Sequence, residues 1–324
     1  MSPQVMVVTG ANRGLGKEVT QILYSRNAKI YMMARSEEKT QEAIASIKKT
    51  FPNSTGELVY IHVDLADLST IKQSADEFLR RESKLDILFN SAGVGYPAKL
   101  SKTKQGYEKQ LGINCVGPFA LTKLLTPALV AAAKTAAPNS VRVVWVSSSA
   151  AEAVSPKNFV TNLEKVDKMS ALEQYGTSKL GNYFHAVEYA ARHRRDGVVS
   201  VSLNPGNLQT EFLDEQKGTF FSWFAHTALM YPAIYGAYTI LFAGLSHEVT
   251  LDKSGSYGKL LPTVGIAHHR LLVLTMVLEK VAPWGRLWKP LKQMADAARS
   301  VEEGGSGDAR EFWGWSELQV KPYV

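Results

Sequence analysis

Val5-Met6-Val7-Val8-Thr9-Gly10-Ala11-Asn12-Arg13-Gly14-Leu15-Gly16 is the stretch on which the fold turns. Val5 to Val8 is a short apolar, largely β-branched run and reads as a strand, while the apolar spacing from Lys17 to Arg26 reads as the helix that follows. Between them, glycines at 10, 14 and 16 let the backbone turn tightly and approach a pyrophosphate, whose charge then meets the free N–H groups at the helix start. A glycine run alone is an ordinary turn; a strand directly before it and a helix directly after it give it this meaning.

The same alternation continues outward. Ile30 to Met33, Leu58 to Val63, Ile87 to Phe89, Val141 to Val146 and Val198 to Leu203 are further strand candidates. Helical spacing fills Ser36 to Lys49, Ser69 to Arg81, Tyr107 to Ala133 and Tyr175 to Arg194. Six strands alternating with helices predict an α/β chain: a single doubly wound Rossmann domain, its parallel sheet covered by helices on both faces. Ligands on such sheets bind outside the carboxyl ends of the strands, where the strand order switches. Thr9, Asp64, Asn90, Ser148 and Pro205 all fall at or just after predicted strand ends.

Tyr175-Gly176-Thr177-Ser178-Lys179 places a phenol and an amine four residues apart, one above the other on a helix face. A free phenol has a pKa of about 10, too high for efficient proton transfer near neutral pH, and an adjacent ammonium favours its ionised form. The pair on its own is also what a solvated helix face carries by chance. Its surroundings decide the matter: Asn90-Ser91-Ala92-Gly93 ends one apolar run, Ser147-Ser148-Ser149 ends another, Asn114 lies between them, and Pro205-Gly206-Asn207-Leu208-Gln209-Thr210 follows the Tyr/Lys helix.

With these five motifs in this order, the sequence resembles the short-chain dehydrogenase/reductase superfamily over about residues 3 to 258. The long interval from Ser148 to Tyr175 and the run Tyr175-Gly176-Thr177-Ser178-Lys179-Leu180-Gly181-Asn182 are most similar to the branch of retinol dehydrogenases and WW-domain oxidoreductases. The resemblance implies a catalytic group of Asn114, Ser148, Tyr175 and Lys179. Tyr175 would be the acid/base, Lys179 would lower its pKa and hold the nicotinamide ribose, Ser148 would bond the substrate oxygen, and Asn114 would hold a water linking Lys179 to solvent. Adjacent strand residues point to opposite sides, so only one of Ser147, Ser148 and Ser149 faces the cleft; alignment with the family pattern selects Ser148.

The cofactor site implied comprises Gly10, Asn12, Arg13, Gly14, Leu15 and Gly16 of the glycine loop, with Arg35, Asp64, Leu65, Asn90, Ala92, Gly93, Pro205, Gly206 and Thr210, together with Tyr175 and Lys179. Asp64 would meet the adenine amino group and Thr210 the nicotinamide carboxamide, while Ser91 departs mildly from the second Asn of many relatives. After the second strand, where an acidic residue would accept bonds from the ribose of NAD, stand Ala34-Arg35, with Arg13 inside the loop. Two cations and no carboxylate predict NADP(H). No metal is needed, and the seven histidines show no ligand spacing.

The net charge of +7 would permit an acidic partner, but Lys and Arg are scattered among 30 acidic residues, and no basic-aromatic stripe points to nucleic acid. Cys115, the single cysteine, excludes an intrachain disulfide and suits a reducing compartment. The first strand begins so close to Met1 that a signal peptide or N-terminal anchor has no room, which favours the cytoplasm. Gly218 to Ser246 contains no Asp, Glu, Lys or Arg. Pro232 and scattered polar residues argue for a substrate lid at about 211 to 235 and a core helix, with shallow membrane contact less favoured. The aromatic density at Phe220, Phe221, Trp223, Phe224 and Tyr231 suits a small lipophilic carbonyl or alcohol, although any one of these rings would equally fit a core.

Residues 1 to 258 read as the cofactor-binding and catalytic domain, and 259 to 324 as an extension packed on it. Residues 259 to 280 form an atypical insertion before Pro283-Trp284-Gly285-Arg286, either a helix added to the lid, a dimer contact or a membrane-facing surface, or a translated intron that transcript sequencing would reveal. Gly304-Gly305-Ser306-Gly307 reads as a flexible joint before a tail carrying Phe312, Trp313 and Trp315, packed on the domain or a neighbouring subunit. The resemblance implies a homodimer paired through the helices carrying Asn114 and Tyr175, which the insertion and tail would disturb. The function expected is NADP(H)-dependent interconversion of a lipophilic aldehyde or ketone and its alcohol. The alternatives are a secondary-metabolite biosynthetic dehydrogenase and a non-catalytic NADP-binding sensor or scaffold.

Overall fold

The computed structural model describes residues 4–95, 97–98, 100–206, 208–209, 231–259 and 286–324. The elements in chain order are β1 (Val5–Thr9), α1 (Gly14–Tyr24), β2 (Lys29–Ala34), α2 (Glu37–Thr50), β3 (Glu57–His62), α3 (Leu68–Arg81), β4 (Ile87–Asn90) and a short α4 (Lys109–Leu111). A π-helical turn (Gly112–Val116) then leads into α5 (Gly117–Ala133), followed by β5 (Arg142–Val146), α6 (Phe159–Leu163), α7 (Ala171–His193) and β6 (Val199–Asn204). The two-residue strands β7 (Leu208–Gln209) and β8 (Tyr231–Pro232) precede α8 (Ala233–Leu245), β9 (Tyr257–Lys259), β10 (Arg286–Trp288), α9 (Lys292–Ala298) and α10 (Asp308–Val320).

The main sheet runs β10-β9-β6-β5-β4-β1-β2-β3. All neighbours pair parallel except β10, which lies antiparallel on β9 at the edge. β1 lies between β2 and β4, so the chain reverses its direction of travel there and opens a crevice at the strand ends.

Side-chain alternation along each strand divides the core in two. Val7, Tyr31, Met33, Leu88, Val143 and Trp145 pack one face against Ile71 and Phe78 of α3, Leu121 and Leu125 of α5 and Leu180 and Phe184 of α7. Met6, Val8, Ile30, Met32, Phe89, Val144 and Val201 pack the other against Val19 and Leu23 of α1, Ile44 and Ile47 of α2 and Ile240 of α8. Burial on both faces is why the strands read as continuous apolar runs.

All six strand candidates are strands. The sheet also holds β9 and β10, not expected from the sequence because Tyr257-Gly258-Lys259 has no apolar run and becomes a strand by pairing with β6 and β10. The expected domain boundary at 258 falls inside β9, and β10 ties the extension into the same sheet. Within the lid expected at 211–235, residues 231–235 form β8 and the start of α8; residues 210–230, with the expected position Thr210 and the aromatics from Phe220 to Phe224, lie outside the described residues. So does the insertion from 260 onward, and with it Pro283, Trp284 and Gly285.

The joint at Gly304-Gly305-Ser306-Gly307 is a hydrogen-bonded turn: Gly305 N–H donates to Ser300 O at 2.8 Å, Ser306 N–H to Asp296 O at 3.0 Å and Gly307 N–H to Arg299 O at 3.0 Å. It delivers α10 onto the outer side of α5 and α7. Phe312 stacks on His185 with ring centres 4.7 Å apart, Trp313 meets Phe119 edge-on at 4.8 Å, and Ser316 Oγ lies 2.9 Å from His185 Nε2. This chain's own C-terminal helix therefore lies against part of the face through which the resemblance implied pairing of two copies.

Candidate active site

Thr9, at the end of β1, builds the floor of the crevice. Its hydroxyl accepts from Ser91 N–H at 3.0 Å and Ala92 N–H at 2.9 Å, tying the glycine loop to the loop that follows β4. Gly10 has φ +68°, and a Cβ there would sit 3.0 Å from Ala92 Cα. A Cβ on Gly16 would sit 2.4 Å from Gly10 O, so the start of α1 presses directly on the loop. At the helix start, Arg13 is the N-cap but its side chain makes no capping bond, and the first turn holds no acidic residue. These are the conditions for an anion at a helix N-terminus. Asn12 and Gly14 are half-buried beside it, and Leu15 leans onto α8, within reach of Gly236.

At the adenosine end, Arg35 and Arg13 are exposed. Ser36 caps α2, accepting from Lys39 N–H at 3.4 Å, and no carboxylate stands at 34 to 36. Asp64 spends one oxygen on its own turn, accepting from Ala66 N–H at 2.9 Å. Leu65 is buried against the start of α5, so only its main chain can serve a ligand. Asn90 likewise turns inward, donating to Thr122 Oγ1 at 2.9 Å. Pro205 is buried after β6, and Gly206 N–H donates to Asn204 Oδ1 at 3.0 Å.

The four expected catalytic residues converge where β4, β5 and α7 meet. Asn114 lies in the π-helical turn, an irregularity that recurs at functional sites. Its Oδ1 accepts from Val94 N–H at 2.7 Å, and its Nδ2 donates to Val94 O and to Ser178 Oγ, both at 3.0 Å. The side chain thus clamps the post-β4 loop to α7. Gly93 in that loop passes close to Lys179: a Cβ on it would lie 3.4 Å from Nζ.

Lys179 is buried and donates to Val146 O at 2.9 Å, with its Nζ 5.7 Å from the centre of the Tyr175 ring. Burial pushes its pKa down to about 8. Asn182, one turn on, donates to the same carbonyl at 3.1 Å. Of the three serines, Ser147 faces α7, where its hydroxyl donates to Lys179 O at 2.7 Å, and Ser149 is exposed. Ser148 is half-buried, and its Oγ accepts from Ala150 N–H at 3.2 Å, which leaves its proton to give. Tyr175 is half-buried at the start of α7, one residue before the Gly176 on which the turn after Ser148 packs. Ser178, Asn182 and Tyr257 join this cluster without having been expected there; the first two lie within the Tyr/Lys run, whereas Tyr257 is far along the chain.

The sequence pattern of the family described as "short chain dehydrogenase" matches residues 4–219. A short-chain dehydrogenase/reductase of Phomopsis amygdali is 47% identical over 326 residues, covering 99% of this chain and 90% of that protein. Short-chain dehydrogenase/reductase pkfC of Emericella nidulans is 41% identical, covering 100% of this chain and 94% of its own length. These relatives carry the family name without pointing to the retinol dehydrogenase branch. Among solved structures, a putative uncharacterized protein from Mycobacterium paratuberculosis superposes with a TM-score of 0.68 at 26% identity, over 98% of this chain and 93% of that one. NADPH-bound carbonyl reductase from chicken fatty liver gives 0.59 at 22% identity, over 80% and 97%, a likeness of fold. With a matching family pattern, full-length relatives and this site, the chain belongs to the short-chain dehydrogenase/reductase family of oxidoreductases.

Proposed function

We propose that this protein is an NADP(H)-dependent oxidoreductase that interconverts a small lipophilic aldehyde or ketone and its alcohol. The observation that carries the reading is the Lys179 ammonium 5.7 Å from the Tyr175 ring, on a helix against which the turn after Ser148 packs at Gly176, beside a crevice floored by the glycine loop. The loop fits the cofactor: bare backbone at Gly10 and Gly16 allows close approach, α1 offers N–H groups, and Arg13 and Arg35 favour a 2′-phosphate. When bound, the nicotinamide supplies or accepts the hydride.

The chain's own residues manage the proton. In the reducing direction Tyr175 gives its phenolic proton to the carbonyl oxygen, and Ser148 donates a hydrogen bond to the same oxygen as negative charge develops there. Lys179 supplies the adjacent cation. Asn114 holds the Gly93–Val94 loop against this group, and any water linking Lys179 to solvent would gather there. A cytoplasmic location is part of the proposal and rests on the single buried cysteine.

The experiment is NADPH consumption by the purified protein over a panel of lipophilic aldehydes and ketones, with Tyr175→Phe and an NADH series alongside. Turnover that favours NADPH and disappears in the variant is expected. Tight NADPH binding with no turnover across the panel would favour a sensor or scaffold instead.

A further inference from the structure

Tyr257 is fully buried, and its ring meets Tyr183 edge-on at 5.8 Å. Phe would pack equally well there, and a buried hydroxyl without a partner is costly. The hydroxyl has one: it crosses from β9 past β6 to donate to Ser148 O at 3.1 Å. Ser147 is a second polar neighbour of the same hydroxyl. The Ser148 carbonyl also accepts from Ala151 N–H at 3.1 Å, so the turn at Ser149–Ala153 is anchored at its first peptide from two directions.

The opposite side of that turn rests on α7 at Gly176, the residue after Tyr175. A Cβ on Gly176 would sit 2.6 Å from Ala150 O and 2.8 Å from Val154 Cγ1. Glycine inside a helix costs about 1 kcal/mol relative to Ala, and here its bare backbone lets the serine turn settle directly beside Tyr175.

Resting on the function proposed above, we infer that Tyr257 and Gly176 are positioning residues that set the Ser148 hydroxyl against Tyr175. Tyr257 holds the turn from β9 and Gly176 receives it on the helix. Tyr257 belongs to an element beyond the stretch that matches the family pattern.

The test uses the full chain loaded with NADPH. Tyr257→Phe and Gly176→Ala should each lower kcat about tenfold while KM for NADPH stays within about twofold, because a displaced serine affects the chemical step and leaves the cofactor in place. In a Ser148→Ala background, Tyr257→Phe should add no further loss; additive losses would reduce Tyr257 to a general packing role and overturn the inference. Hydrogen exchange of residues 148–153 should rise in Tyr257→Phe without change in α7, and unaltered exchange there would also overturn it. Exchange is read without turnover, so it separates failure of this inference from failure of the proposed function, which shows as activity surviving in Tyr175→Phe. If Gly176→Ala does not fold, the Tyr257→Phe kinetics and exchange decide alone.

Discussion

The ammonium nitrogen of Lys179 sits 5.7 Å from the centre of the Tyr175 ring and is almost wholly removed from solvent. Its pKa, ordinarily 10.5, is pushed down to about 8 by burial. Between those values the unfolded chain binds more protons than the folded one, so this group makes stability rise with pH from about 8 to 10.5 and is a constant penalty below that window. The gap corresponds to about 3 kcal/mol. Lys179→Met should therefore melt higher than the ligand-free parent at pH 7, by on the order of 5 °C, with the difference shrinking toward pH 10, while turnover falls by about 100-fold or more. Thermal melts across pH, run beside NADPH oxidation, check both halves; a variant that melts lower at pH 7 would show that the ammonium stabilises this site.

Arg142, on β5, is buried and has no carboxylate partner among the described residues. Its guanidinium donates to Asn139 O, Ala243 O and Ser246 O at 2.8 to 2.9 Å, closing the C-terminus of α8. Arg142→Met keeps the apolar stem and strands those carbonyls, an expected loss of about 3 kcal/mol at 1 to 3 per unsatisfied group. Urea denaturation measures it; a change below about 1 kcal/mol would mean that water replaces the guanidinium.

Arg35 is exposed where β2 gives way to α2. Arg35→Asp should weaken NADPH binding about tenfold or more and improve NADH, because a carboxylate repels a 2′-phosphate and accepts from ribose hydroxyls. Fluorescence titration with both cofactors tests this, and unchanged NADPH affinity would remove Arg35 from the site.

α10 lays Phe312 and Trp313 over His185, Phe119 and Tyr189. Light scattering should return the mass of one chain at micromolar concentration, since part of the outer face of α5 and α7 is already covered. A chain ending at Ser306 exposes that apolar surface and should self-associate. A stable dimer of the full-length protein would have to use another face.

Lys259 and Arg286 are paired neighbours across the β9/β10 ladder. The described residues on either side of 260–285 therefore lie at adjacent points, and a short turn can span them. Replacing residues 261–284 with four turn residues should leave the melting temperature within about 2 °C, the equivalent of ~1 kcal/mol. A collapse of the melt would show that the excised residues support the core.

Local chemistry made much of this protein legible. Apolar, largely β-branched runs name six of the eight strands of the main sheet because a covered sheet demands them, and the glycine spacing names the crevice because a Cβ at Gly10 would lie 3.0 Å from Ala92 Cα. Tyr175 and Lys179 share a helix face by periodicity alone. What the tertiary structure decided depends on partners distant in the chain: that Tyr257-Gly258-Lys259 is a strand, that Ser147 faces α7 while Ser148 keeps its proton, that Asn90 and Leu65 turn inward, and that the aromatic tail closes over α5 and α7. No local pattern encodes these, because most are fixed by a hydrogen bond or a packed surface whose other half lies far along the chain, as for His185 and Ser316, 131 residues apart.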